Sequence, residues 1–198
     1  MPAQFDDGVV DGVLGTLEAR GFVALPCGDA PGRIVDRLVA TAWLELQAAA
    51  ASGVTQDALA GALRDAGLSL SAVAEEDLSP IVAALHGGLG EPARFDPAAA
   101  AAPVRGGAAS TPLSERLALA AIAEGYRLVE ETVAGADEIE RAMTAGAGWS
   151  AGPFTLAGRR GLRAVVTVLA AIARDAEADA ATRDRFGMPQ LLWTMATV

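Results

Sequence analysis

The sequence predicts an all-α protein, and three features carry that expectation. It is 52% hydrophobic, much of it alanine and leucine, and only 5% aromatic, so the good helix formers dominate and the strand formers are scarce. Apolar residues recur at helical spacing in several long stretches. Glycine and proline are gathered in a few places between those stretches, where they end one helix and begin another.

In chain order, residues 7–20 read as a short helix with Val9, Val10, Val13, Leu14 and Leu17 on one side. "GFVALP", Gly21 to Pro26, is the best strand candidate, and "CGDAPG" is a turn. A long helix is expected from Ile34 to Ala51, with Val39, Trp43, Leu46 and Ala50 on its apolar stripe. Thr55 can cap a helix over Gln56–Asp65, and another begins near Asp77 with Leu78, Ile81, Val82, Leu85 and Leu89. Residues 96–112, "DPAAAAAPVRGGAASTP", lack periodicity and read as a linker. A second long helix, Leu113–Val133, carries Leu119, Ile122, Tyr126, Val129 and Val133, and a further helix covers Asp137–Ala145. "GAGWSAGPFTL" then reads as a hinge: Gly146 and Gly148 can take positive φ, and Pro153 suits a first helical turn. A helix from Leu162 and a short amphipathic end, "MPQLLWTMA", complete the chain.

The halves align with each other. "DRLVATAWLELQ" lies over "ERLALAAIAEGY" without a gap, placing Arg37 on Arg116 and Glu45 on Glu124, and after one insertion "DALAGAL" meets "DEIERAM". Two similar helical units about a pseudo-twofold are therefore expected. The expected divisions are 1–27, a helix–strand piece; 28–97, a first, degenerate helical copy; 98–112, a linker; and 113–198, a second copy. The long helices of the copies are expected to pack together.

Charge and residue usage narrow the function. A net charge of −10 argues against a nucleic-acid surface or an anionic membrane as partner. The single cysteine, Cys27, excludes a disulfide framework and a thiolate metal site, and is expected to be buried or inert. His86, the only histidine, is expected to be exposed or capping. No His/Cys/Asp/Glu cluster has metal-ligand spacing. The acidic N-terminus lacks the basic region of a signal peptide, and no run of about 18 apolar residues occurs, so a cytoplasmic location is expected. "GGLGEP" at Gly87 follows a helical stretch and fails as a dinucleotide-binding turn. Glu45 and Glu124 lie among alanines and leucines. A structural ion pair, with Arg127 one turn beyond Glu124, is the plainer reading; a carboxyl pair of raised pKa is the sharper one.

"APGRIVDRL" before a long helix, and "DEIERAMTAGAGWSAGPFTLAGRRGL", resemble the C-terminal domain of the 3-hydroxyacyl-CoA dehydrogenase family, which writes these pieces P-G-F-I-V-N-R-L and D-I-D-x-A-M-x-x-G-x-G-x-P-M-G-P-F-x-L. The likeness is strong in residues 113–198, fair in 21–66 and weak in 67–100, where the first copy lacks its G-P-F hinge. It implies two tandem copies of a 6-phosphogluconate dehydrogenase C-terminal-like helical fold. Residues 7–26 resemble the last helix and strand of the family's nucleotide-binding domain.

The resemblance implies a division of labour. A Rossmann domain, outside this sequence, holds NAD and the catalytic His–Glu pair, while the helical domain closes over acyl-CoA substrate and makes the dimer. No catalytic residue and no cofactor site is then expected in this chain, and NAD enters only through a Rossmann partner. The substrate-side candidates are Asp36, Arg37, Trp149, Gly152, Pro153 and Phe154. Asp36 stands where the family has asparagine, and Glu115 holds the matching place in the second copy. An amide can donate to a thioester oxygen; an ionised carboxylate cannot. Asp36 also reads as an acidic first-turn residue favoured by the helix dipole. Two functions follow: the substrate-side half of a 3-hydroxyacyl-CoA dehydrogenase, inactive without its partner, or a non-catalytic binding or assembly module built on the same fold.

Overall fold

The computed structural model describes residues 7–69 and 77–198. Part of the expected region of weak likeness, 70–76, lies outside them. Helix α1 spans Asp7–Glu18, α2 Val35–Ala51, α3 Gln56–Ala66 and α4 Ser79–Gly88. Two 3₁₀ turns, Ala93–Phe95 and Pro97–Ala101, precede α5 at Gly106–Ser110. Then come α6 at Leu113–Glu130 and α7 at Ala136–Arg141, which runs on as a π-turn over Ala142–Gly146. Helices α8 (Pro153–Arg160), α9 (Leu162–Arg174), α10 (Ala180–Arg185) and α11 (Gln190–Thr197) end the chain. The described residues contain no strand.

The long helices α2 and α6 form the centre and pack on each other more extensively than any other described pair. The expected stripes are buried at Val39, Trp43 and Leu46 and at Leu119, Ile122 and Tyr126, whereas Ala50 is exposed. Burial goes further than a stripe. Residues 37–46 and 116–126 are buried on every side, as befits a helix wholly inside a protein. Alanines on the flanks, such as Ala40, Ala42, Ala118 and Ala121, have almost no exposure and let neighbouring backbones approach closely. Around this pair, α3 and α8 lie on α6, and the Pro97–Ala101 turn lies on α2. One apolar cluster runs from Ile34 through Phe95 and Ile122 to Leu192.

Several boundaries follow ordinary helix chemistry. Thr55 Oγ1 accepts from the Ala58 amide at 3.4 Å, and Gly67 ends α3 with φ 82°, a left-handed cap that glycine adopts without cost from a Cβ. Three expectations need correction. Gly21–Pro26 joins no strand ladder among the described residues: Gly21 turns at φ 83°, and the Gly21 and Phe22 amides return to the Glu18 and Leu17 carbonyls; its β-branched and aromatic residues have strand propensity, but a strand needs a neighbour. Residues 96–112 are not a bare linker, since the 3₁₀ turn there packs on α2. The second long helix stops at Glu130 rather than Val133, where Thr132 turns the chain at φ 55°. Among the described residues no helix is long and apolar enough to cross a membrane.

Candidate functional site

A groove of about 580 Å³ opens beside the start of α2. The chain enters it along residues 22–27, which are pinned at their end by the Gly28 amide donating to the Val133 carbonyl at 2.6 Å. It then turns through Gly32 and Arg33, both at positive φ (72° and 45°). A Cβ on Gly32 would run into the Leu85 side chain, so the tight turn fits only glycine there. The turn starts α2 in a position that leaves Asp36 exposed on the groove. The opposite wall is Arg141, Ala142, Ala145 and Gly146, from α7 and its π-turn; Phe22, Val23 and Cys27 form the third side.

Asp36, Arg33 and Arg141 are exposed, and among the described residues no hydrogen bond or ion pair engages their side chains. They give the groove one negative and two positive groups against an otherwise apolar lining. The matching place in the second half is closed: Glu115 accepts from Arg160 Nε at 3.0 Å. Cys27 was expected to be buried or inert; its thiol is free and exposed at the groove lip, because the segment carrying it runs over the surface instead of joining a sheet. His86 is half-buried in the last turn of α4, with Nδ1 3.1 Å from the Pro92 carbonyl oxygen.

The other substrate-side candidates lie away from the groove. Arg37 is fully buried, its guanidinium held by Glu124 and Glu131. Trp149 is also buried; its amide donates to the Met143 carbonyl, and its indole N–H has no partner among the described residues. It packs the hinge onto the core. Gly152, Pro153 and Phe154 start α8, with Phe154 against Tyr126 at a ring-centroid distance of 4.9 Å. The hinge turns at Gly148 (φ 67°) and not at Gly146, which remains in the π-turn.

Glu140 explains why the hinge has this sequence. Its carboxylate accepts from the amides of Gly152 (3.1 Å), Phe154 (2.7 Å) and Thr155 (3.1 Å), and from the Thr155 hydroxyl (2.7 Å). It thus caps the N-terminus of α8 from twelve residues away. A Cβ at position 152 would come within 2.6 Å of its Oε1 and 2.9 Å of its Cα, so glycine makes room for the cap. Pro153 supplies the first helical turn, where its missing N–H costs nothing.

Between α2 and α6 lies a buried ionic network. Arg37 Nε donates to Glu124 at 2.7 Å, and Arg116 Nε donates to Glu45 at 2.8 Å. The helices therefore run antiparallel, with the start of each beside the later turns of the other. A second arginine reaches each carboxylate: Arg94 Nε to Glu124 at 3.1 Å, and Arg185 Nη1 to Glu45 at 2.5 Å. Both belong to an Arg–Phe pair, Arg94–Phe95 and Arg185–Phe186, whose phenylalanines are buried. The two pairs meet, Arg185 donating to the Arg94 carbonyl at 3.3 Å. Arg127 adds a third donor to Glu124 at 3.2 Å.

Burial alone would raise the pKa of both carboxylates. The charges of Arg185 and Arg116 outweigh it for Glu45, and those of Arg37, Arg127 and Arg94 for Glu124, so both lie below the ordinary value. The sharper reading of these residues, a carboxyl pair poised for proton transfer, is thereby corrected: they are ionised structural groups. Sequence reasoning found Arg127 but missed Arg94, Arg185 and Glu140. For the arginines the signal is the repeated "RF", which alternative spacing between the halves hides.

Known families supply one match. Residues 113–197 match the sequence model of 3-hydroxyacyl-CoA dehydrogenase, C-terminal domain. This part of the chain is similar to that domain. The match takes in α6 to α11, less than half of the sequence, and includes Glu124, the Glu140 cap and the Gly152–Pro153–Phe154 hinge. No curated protein and no solved structure matches the chain. The matched residues contribute Arg141, Ala142, Ala145 and Gly146 to the groove; Asp36, Phe22, Val23 and Cys27 come from the half outside the match.

Proposed function

We propose that the chain is the substrate-side half of an NAD-dependent 3-hydroxyacyl-CoA oxidation, acting with a separate nucleotide-binding Rossmann protein. The observation that carries this reading is the groove at Asp36, built jointly by the 3-hydroxyacyl-CoA dehydrogenase domain and the turn into α2. Gly87 and Gly88 close helix α4, Gly90 turns at φ 80°, and a 3₁₀ turn follows, so this glycine cluster does not form the strand-to-helix turn that receives a pyrophosphate. The role left to this chain is to bind and orient acyl-CoA and to shield it from water. Hydride transfer and the catalytic base belong to the partner.

The ionic network supports a further part of the reading, that the two halves are copies paired about an internal pseudo-twofold. Arg37 and Arg116 occupy equivalent places in the alignment, as do Glu45 and Glu124, and each arginine bonds the carboxylate of the other half. Arg94 and Arg185 repeat the exchange. Reciprocal contacts of this kind are the mark of an isologous interface. The pairing that separate subunits would make is then made within one chain, and the groove beside Asp36 stays open.

A second reading keeps the fold and drops the chemistry: a binding or assembly module. A single observation favours it, the carboxylate at position 36, which repels negative charge developing on a thioester oxygen. The two separate in an assay of 3-hydroxyacyl-CoA oxidation with NAD, run on the purified chain and on the chain with the nucleotide-binding protein that co-purifies from native lysate. The proposal expects NADH only from the mixture. A stable complex that forms no NADH selects the assembly module.

A further inference from the structure

The two carboxylates buried between α2 and α6 keep unequal company. Around Glu124 the charges balance: Arg37, Arg94 and Arg127 face Glu124, Glu131 and Asp184. Around Glu45 they do not, because Arg116 and Arg185 face Glu45 alone. The sequence shows where the missing acids went. Carried on without a gap, the alignment of the long helices puts Ser52 at the place of Glu131. Asp184, the residue ahead of Arg185, pairs with Arg94, but the residue ahead of Arg94 is Ala93 and gives Arg185 nothing in return.

An arginine cannot relieve such an excess by losing its proton. Arg185 shows the deficit directly. Its side chain is 4% exposed. Nη1 donates to Glu45 and Nη2 to the Arg94 carbonyl, while Nε–H has no partner among the described residues. A buried donor in that state is costly. A void of about 10 Å³ lies against this side chain, and Arg116, Glu45 and Thr182 line it as well. Its other side chains are apolar apart from Asp179 at the start of α10, which is exposed, takes the Thr182 amide at 2.7 Å and makes no ion pair among the described residues. Glu45 is screened on both sides, Oε1 by Arg185 and Oε2 by Arg116.

The size of the void selects its occupant. It has room for one particle of about the size of a water molecule, and a carboxylate or phosphate needs several times as much. Water would accept from Nε and leave the positive charge uncompensated. We propose that the void is a binding site for a single monatomic anion of the halide class, chloride in the cell, held by Arg185 Nε beside Arg116.

Melting of the full chain is followed while chloride replaces gluconate, an anion too large for the void, at constant ionic strength so that screening does not change. The expected result is a saturating rise in melting temperature of roughly 5 °C. Crystals grown in bromide should show its anomalous scattering in the void, within hydrogen-bond distance of Arg185 Nε. Ser52→Glu restores the acid that the other half has at Glu131, and Ser52 and Arg116 already line a shared groove of about 410 Å³ with room for it. That variant should lose the chloride dependence, whereas Ser52→Gln, of the same size and uncharged, should keep it. If Ser52→Glu does not fold, wild-type melting and the bromide position decide between the outcomes. Melting that is indifferent to the anion overturns the proposal, whatever the crystals contain. So does a water in the void of the bromide crystals, or a chloride dependence that survives undiminished in folded Ser52→Glu.

Discussion

At position 36 a carboxylate stands where the resemblance has an amide, and it faces a groove rather than a capping partner. Asp36→Asn replaces a negative acceptor with a neutral donor. One recovered hydrogen bond to developing charge is worth roughly 2–4 kcal/mol, on the order of 10²-fold in rate, whereas losing a first-turn carboxylate from α2 costs at most about 1 kcal/mol. Steady-state kinetics of the complex with the proposed nucleotide-binding protein should therefore show faster turnover with almost unchanged melting; unchanged kinetics and a fall in stability alone would make Asp36 a helix-end residue only. Glu140 provides a second expectation. Glu140→Ala strips α8 of its cap and should destabilise the protein by about 1–2 kcal/mol, while Glu138→Ala, two residues away, should cost distinctly less in the same denaturant titration. Residue roles were partly legible in the sequence. Gly152 and Pro153 announce a helix start, but the group that caps it is set by the π-turn, which no local pattern reveals. Arg37 looks like a site residue because it adjoins Asp36; one step along a helix turns a side chain by about 100°, and that step takes Arg37 into the core.

Among the elements, α2 and α6 have the most at stake. Glu45 and Glu124 are buried beside two and three arginines respectively. Removing one carboxylate leaves uncompensated buried charge, so Glu45→Ala and Glu124→Ala should each cost about 3–5 kcal/mol in urea unfolding; a loss below about 1 kcal/mol for either would mean the network is not buried in solution. The pH dependence has a definite sign. Both carboxylates have folded pKa values below the ordinary one, so their contribution is complete above the unfolded carboxylate pKa of about 4.3. It is lost as pH falls below that and through the folded values. Wild-type stability should drop steeply there, and the Glu124→Ala variant should show a shallower drop. The long helices are legible because each repeats its apolar spacing over many turns. Helix α10 is not, since six residues give no period, and "GFVALP" reads as a strand because propensity does not count neighbours.

For the whole molecule, the proposed duplication makes the Asp36 groove and the Glu115–Arg160 pair equivalent places, the first open and the second closed. The long helices of the two halves align in the sequence, but the sequence does not show which place is open; that depends on Arg160, forty-five residues from Glu115 in the chain. On the proposed function, this chain carries the substrate side and no nucleotide site. Calorimetric titration of NAD into the purified chain, and into its complex with the proposed nucleotide-binding protein, distinguishes the two sides. No binding to the chain alone and one NAD per complex are expected. Micromolar affinity for NAD in the chain alone, or none in the complex, would contradict that function.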